Sequence, residues 1–246
     1  MYFLLALLWE NVFLILSLIM SYPKVRFKIS KNFDKEIGVY FLNNKIGNYD
    51  FGKDRIISEH PVFSKWRKLS EEELWKQVEP YVDQYYREHQ AEIESSLVAM
   101  QAVWDAIAER YFREIEKLFG STSFYRAKTI AAHLSIFKCG VIEDNLRGFQ
   151  IWYKTESEPD EVRRHVAHEV LHFFYYAYLK KTKRDKLSEN WDAAEIFNRV
   201  ILNLPEFKTL TEKEELGYSM HTRALPKYRK LWQSSSNLDE YLSKLG

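Results

Sequence analysis

The 246-residue chain contains one cysteine, Cys139. That excludes an internal disulfide framework and any metal site built on several thiolates. Glycine and proline are scarce, at 8 and 6 residues, which leaves little material for flexible linkers. Net charge is nearly absent: 36 Lys and Arg face 35 Asp and Glu, a formal +1. A chain so balanced has no bulk field to draw in nucleic acid, so no nucleic-acid partner is expected. Internal repeats and low-complexity tracts are also missing. What is present is a globular composition, 46% hydrophobic and 29% charged, in a length that suits one ordinary domain or two small ones. The aromatic share of 16% points to a large aromatic core.

There is one long apolar run, residues 1–20, MYFLLALLWENVFLILSLIM. A secretory signal would need a basic start, yet no Lys or Arg precedes Lys24. A membrane anchor has the length, but Glu10 sits at its centre, where a carboxylate costs about 2.5–3.5 kcal/mol. In a third reading the protein proper opens at Met20. The cations Lys24, Arg26, Lys28 and Lys31 follow the run, so an inserted segment would leave the rest of the chain in the cytoplasm. The expectation is a cytoplasmic body whose membrane contact, if any, is through residues 1–20.

Residues 24–57 alternate in short pieces (Val25, Phe27, Ile29, then Ile37, Val39, Phe41) and read as two or three strands, with turns at Asn43-Asn44 and Gly47-Asn48. Ser70 and Glu73 form a capping-box signature, and Pro80 is expected to interrupt the helix it opens. From Val82 through Tyr86, His89, Ile93, Leu97, Met100, Trp104, Ile107, Tyr111 and Ile115 to Leu118, apolar or weakly polar residues recur at a mean spacing of 3.6, the helical period. One rod of that length would exceed about 50 Å, so a break is expected near Ser95-Ser96. Gly120 ends the helical region. Residues 129–138 and 148–154 read as strands joined by a polar turn at Asp144-Asn145. Pro159 with its flanking acids starts a helix that runs to about Lys181, and a second helix spans Asn190 to Leu204. The basic cluster around Lys180 to Lys186 reads as a solvated helix end.

The Pro159 helix carries the chemistry. His168, Glu169 and His172 form His-Glu-x-x-His. Positions i and i+4 share a helix face one turn apart, so both imidazoles can reach one zinc ion. Glu169 lies beside that face, where it can act as general base on a zinc-activated water. The remainder of the helix is apolar almost all round (Val166, Ala167, Val170, Leu171, Phe173, Phe174), so its polar stripe of His165, His168, Glu169 and His172 is expected to be buried and to need partners.

On these residues the sequence resembles the zincin metallopeptidases, over residues 147–225, and has the look of a bacterial HExxH protein. The resemblance implies an α+β fold: a zincin-like domain with a small antiparallel sheet, a buried HExxH helix and additional long helices. Residues 121–246 would form the zinc-binding part, and residues 21–120 would pack on it. An upstream edge strand, here GFQIWYK, would receive an extended peptide or protein substrate. The metzincin extension is absent, because positions 175 and 178 are both Tyr. The gluzincin-like alternative takes its third ligand from the next helix, where Glu189, Asp192 and Glu195 are available and Glu195 is the first choice. Helical-wheel arithmetic counts against it, placing Glu195 away from the face of Ala194, Phe197 and Ile201. His221 or Tyr218 would then stabilise the oxyanion. The expected function is a metallopeptidase holding one Zn2+ on His168, His172 and Glu195. The rival is a non-catalytic metal-binding or pseudo-enzyme scaffold whose helices bind a protein partner.

Overall fold

The computed structural model describes residues 22–43 and 53–245. The apolar run at 1–20 and the turns expected at 43–44 and 47–48 lie wholly or partly outside them. Among the described residues no helix is long and apolar enough to cross a membrane.

Helices dominate, and they surround one small sheet. Strand β1 (Lys24–Ile29) alternates exposed and buried positions, with Val25 and Phe27 turned inward. It pairs with β2 (Thr129–Ser135), which pairs with β3 (Gly148–Trp152), in the order β1-β2-β3. Both pairings are parallel: Val25 sits opposite Ile130, and Leu134 opposite Ile151. This corrects the expected antiparallel sheet, and with it the zincin-like fold inferred from the resemblance. The reason lies in the segment between β2 and β3. Parallel strands require the chain to travel back before it pairs again. Here the return leg runs along the outer edge of β3, bridging Ile142 to Phe149 in antiparallel fashion. Glu143 N donates to Gly148 O at 2.8 Å and Gln150 N to Val141 O at 2.8 Å. The polar turn at Asp144-Asn145 is therefore a hairpin turn, but it joins the return leg to β3 rather than β2 to β3.

Part of the backbone on each edge of the sheet is paired, which shortens the unpaired rows that invite aggregation. The return leg covers β3. On β1 a side chain does the same work: the Gln101 amide accepts from Phe27 N at 3.0 Å and donates to Val25 O at 3.2 Å.

Residues Lys31–Asn43, read in part as strand, form a helix, α1. Ile37, Val39, Phe41 and Leu42 are all buried, so the helix is packed on more than one side and its buried residues imitate alternation. It approaches α3 closely: a Cβ on Gly38 would meet Val78 Cγ1 at 2.9 Å. Helix α2 (Lys53–Glu59) follows. Helix α3 (Glu71–Glu88) opens with the Ser70–Glu73 capping box and continues through Pro80. That proline is exposed, so water can serve the carbonyl whose donor it lacks. The long apolar stripe is divided into α3, α4 (Gln90–Asp105) and α5 (Ala108–Phe119). The breaks fall at His89 and at 106–107, not at Ser96, whose hydroxyl bonds back to Glu92 O at 2.9 Å. Its residues Val82, Met100, Trp104, Tyr111 and Ile115 are fully buried, as a core stripe should be. Gly120, at φ 71°, ends α5.

A buried carboxylate fixes α1 against this frame. Asp34 accepts from Tyr86 Oη at 2.7 Å, from Ile136 N at 3.0 Å and from Ser135 Oγ. Burial outweighs those hydrogen bonds and pushes its pKa up to about 6. The folded chain therefore holds this proton where the unfolded chain, at 3.8, has lost it. Stability from this group is fully present below the unfolded value and is lost as pH rises through about 6. The loss is about 3 kcal/mol, at 1.36 kcal/mol per unit. Denaturant titrations between pH 4 and 7 are expected to show that decline, and Asp34→Asn to flatten it. An unchanged slope in Asp34→Asn would assign the decline elsewhere.

Candidate metal centre

Helix α6 (Pro159–Lys181) carries the motif. Pro159 occupies its first turn, Asp160 and Glu161 face the positive end of its dipole, and Lys180 and Lys181 close it. Ten apolar or aromatic residues of this helix are buried, among them Val166, Leu171 and Phe174. Neighbours grip the motif turn by its backbone. Tyr111 Oη donates to Ala167 O at 2.6 Å, and Asn198 Nδ2 to His168 O at 2.8 Å.

After the short helix α7 (Asp185–Ser188), helix α8 (Trp191–Ile201) supplies the third group. Asn190 caps it, accepting from Ala193 N at 3.0 Å. Residues 193–198 of α8 are buried without interruption, so the helix has two packed faces. Ala194, Phe197 and Ile201 occupy one. Glu195 and Asn198, three residues apart, share the other and point at α6. The helical-wheel objection to Glu195 assumed a single packed face. Arg199, one turn beyond Glu195 on the same helix, bonds to Thr222 Oγ1 at 3.3 Å and not to Glu195.

The Nε2 atoms of His168 and His172 face each other at 3.0 Å. Glu195 brings Oε2 to 3.3 Å from His168 Nε2 and Oε1 to 3.1 Å from His172 Nε2. Donor atoms around one tetrahedral zinc with bonds of about 2.0–2.1 Å stand about 3.3 Å apart. The residues fit such an ion. One proton shared between the two ring nitrogens pairs them with each other and leaves the carboxylate beside them short of a donor. Glu195 Oε2 is buried and, despite its approach to His168, lacks the alignment of a hydrogen bond. Buried atoms in that condition need a partner, and a cation between them supplies it.

Charge at the centre is organised around His168. Burial alone would lower its ring, but Glu195 and Glu215 outweigh burial and raise it well above the usual value. Burial would likewise raise Glu195, but the charge of His168 beside it, with the contact to His172, holds it far below the ordinary carboxylate range.

Glu215 is a site residue that the sequence did not disclose. It is 2% exposed, and its Oε2 lies 3.4 Å from His168 Nδ1 and 2.8 Å from Arg164 Nη1. It is in the loop after helix α9 (Pro205–Thr211), where no periodic pattern marks it. Its only outward sign is an acid just before Gly217-Tyr218. Carboxylates behind metal-binding imidazoles orient the ring and raise its basicity. Glu215→Gln is therefore expected to weaken zinc binding about 10–100-fold, measured by competition with a chromophoric chelator. Unchanged affinity would leave Glu215 a purely structural partner of Arg164.

The other sequence candidates separate clearly. Glu169 lines the clefts on both sides of the centre, its nearest ionic neighbour being His165 at 3.7 Å. His165 anchors α6 to the sheet, its Nε2 3.1 Å from Gln150 O. Glu189 is exposed and outside the cluster. Asp192 is turned to His221, 2.7 Å from its Nε2. His221 is buried by that contact and lines neither cleft, whereas Tyr218 lines both. The β3 edge expected to receive substrate is occupied by the return leg. That leg now forms the outer edge: since Val141 and Glu143 bond to β3, the N–H and C=O of Ile142 between them face away from β3, and Ile142 lines the cleft beside the centre.

Comparisons with protein-family models, curated proteins and solved structures found no match. The zincin resemblance rests on the HExxH motif and the carboxylate that joins it.

Proposed function

We propose that this protein is a zinc-dependent peptidase with Glu169 as its general base. The convergence of His168, His172 and Glu195 on one point, at the floor of a cleft, carries this reading. Both histidines would hold the ion through Nε2, and Glu195 through a carboxylate oxygen. When bound, zinc supplies a Lewis acid and a water that ionises near neutral pH.

The chain's own groups do the rest. Glu169 sits one position beyond His168 and opens on the cleft. Its carboxylate takes a proton from the attacking water and afterwards delivers it to the leaving amine nitrogen. The Tyr218 phenol is held far above its usual pKa, first by burial and then by the charges of Glu195 and Glu169. It stays protonated, so its O–H can donate to the carbonyl oxygen as that oxygen gains charge. An extended peptide can pair with the free N–H and C=O of Ile142, adding a strand beside the return leg.

The test is zinc content and peptide cleavage in the purified full chain. About one zinc per chain is expected, together with cleavage of peptides that a chelator abolishes and added zinc restores. Zinc without cleavage across a broad peptide library identifies the non-catalytic scaffold instead. A chain that takes up no divalent metal ends the peptidase reading and leaves only the pseudo-enzyme scaffold.

A further inference from the structure

Two clefts meet over the centre and share Gly140, His168, Glu169 and Tyr218. They differ in chemistry. The first, about 560 Å³, has apolar walls that include Ile37, Phe41, Val141 and Tyr176. The second, about 480 Å³, is lined by charge. Its acids Glu158, Glu161 and Glu215 are engaged by Lys213 and Arg164. Arg55, Lys138 and Lys154 line the same cleft, and none of them forms an ion pair with a carboxylate among the described residues. Lys138 lies over the Trp152 ring at 4.5 Å, and Lys154 over Tyr153 at 5.7 Å. Glu214 lines this cleft without an ion pair among the described residues. Acids and cations balance over the whole lining, five of each, and the exposed acids are Glu158, engaged by Lys213, and Glu214, so Arg55, Lys138 and Lys154 stand out as the three exposed cations left without an ion pair.

A chain laid across the junction has one flank in each cleft. We propose that the substrate is a peptide with a bulky apolar side chain on one side of the scissile bond and a carboxylate on the other, seated against Arg55, Lys138 and Lys154. The carboxylate is an Asp or Glu side chain or a free C-terminus, which present the same chemistry. This rests on the peptidase reading of the metal centre. Charge-assisted contacts to Arg and Lys in a partly enclosed cleft discriminate more strongly than exposed pairs do. Arg55 lines the same cleft as Tyr218, which belongs to both clefts, so these cations border the junction itself.

Binding separates this proposal from catalysis. Three fluorescent peptides anchored by Phe are titrated against the full-length, zinc-loaded Glu169→Gln variant. One carries Glu with an amidated end, one a neutral side chain with a free C-terminus, and one is neutral and amidated. At least one carboxylate peptide is expected to bind tenfold or more tighter than the neutral peptide. That gain should vanish in the triple Arg55→Gln, Lys138→Gln, Lys154→Gln variant, checked for folding by thermal unfolding, and shrink in Arg55→Glu alone. The peptide showing the gain identifies the source of the carboxylate. Equal affinity for all three, no binding by any, or a gain that survives the triple substitution overturns the proposal. A gain in binding with no cleavage by the wild type defeats the peptidase reading and leaves the anionic site standing. Cleavage indifferent to the carboxylate does the reverse.

Discussion

Replacing Glu169 by Gln is expected to leave zinc bound and to lower peptide turnover about 10³-fold, within the 10²–10⁴-fold range of general acid–base catalysis. That corresponds to about 4 kcal/mol of transition-state stabilisation. The substitution changes little else. Glutamine has the same shape, and Glu169 makes no hydrogen bond to the ligand set, its nearest ionic contact being His165 at 3.7 Å. What is lost is an oxygen able to take a proton from the attacking water. The effect should fall on kcat, with KM nearly unchanged, because the amide still lines both clefts. Zinc content of the same preparation, measured by mass spectrometry, is the control that excludes loss of the ion. Turnover within threefold of wild type, with zinc retained, would remove Glu169 from the base role.

The HExxH helix was legible because its signals are local. Pro159 with its acids marks the start, Lys180 and Lys181 mark the end, and the apolar surface between them announces burial. The stripe through α3, α4 and α5 was legible for the same reason. Strand direction was not, because alternation in β1 and an apolar run in β3 look alike in parallel and antiparallel sheets. The hairpin signal at Asp144-Asn145 was real but belonged to the return leg, which is too short to register as a strand. Helix α1 was missed because packing on several sides buries Ile37, Val39 and Phe41 together, leaving no single apolar face for a 3.6 period to trace. Glu195 was favoured against its helical wheel, and α8 shows how a charged residue enters a helix with two packed faces. Glu215 acts through tertiary contact alone, from a loop anchored by Asn203, whose Oδ1 accepts from Glu215 N at 3.1 Å. No spacing rule reaches such a residue.

Glu195→Ala should abolish tight zinc binding, while Glu189→Ala leaves it intact. Glu195 is the one acid of the three candidates that touches both imidazoles, at 3.3 and 3.1 Å. Glu189 is exposed and Asp192 is turned to His221. Loss of a residue behind a metal ligand costs about 10–100-fold in affinity, and loss of the ligand itself should exceed that range. Thermal unfolding reads the difference. At a free zinc concentration 100 times the wild-type Kd, binding stabilises the fold by about 2.7 kcal/mol. A 100-fold weaker site gains only about 0.4 kcal/mol under the same conditions. In a chain of this length 1 kcal/mol moves Tm by about 2–4 °C, so a zinc-induced rise of about 5–11 °C should fall to about 1–2 °C. Asp192→Ala separates position from charge. It removes a carboxylate from the same helix and frees His221, yet leaves the three donor atoms where they are, and should retain the full rise. If Asp192→Ala loses the rise and Glu195→Ala keeps it, the third ligand is Asp192, and α8 must turn on its axis to bring it to the histidines.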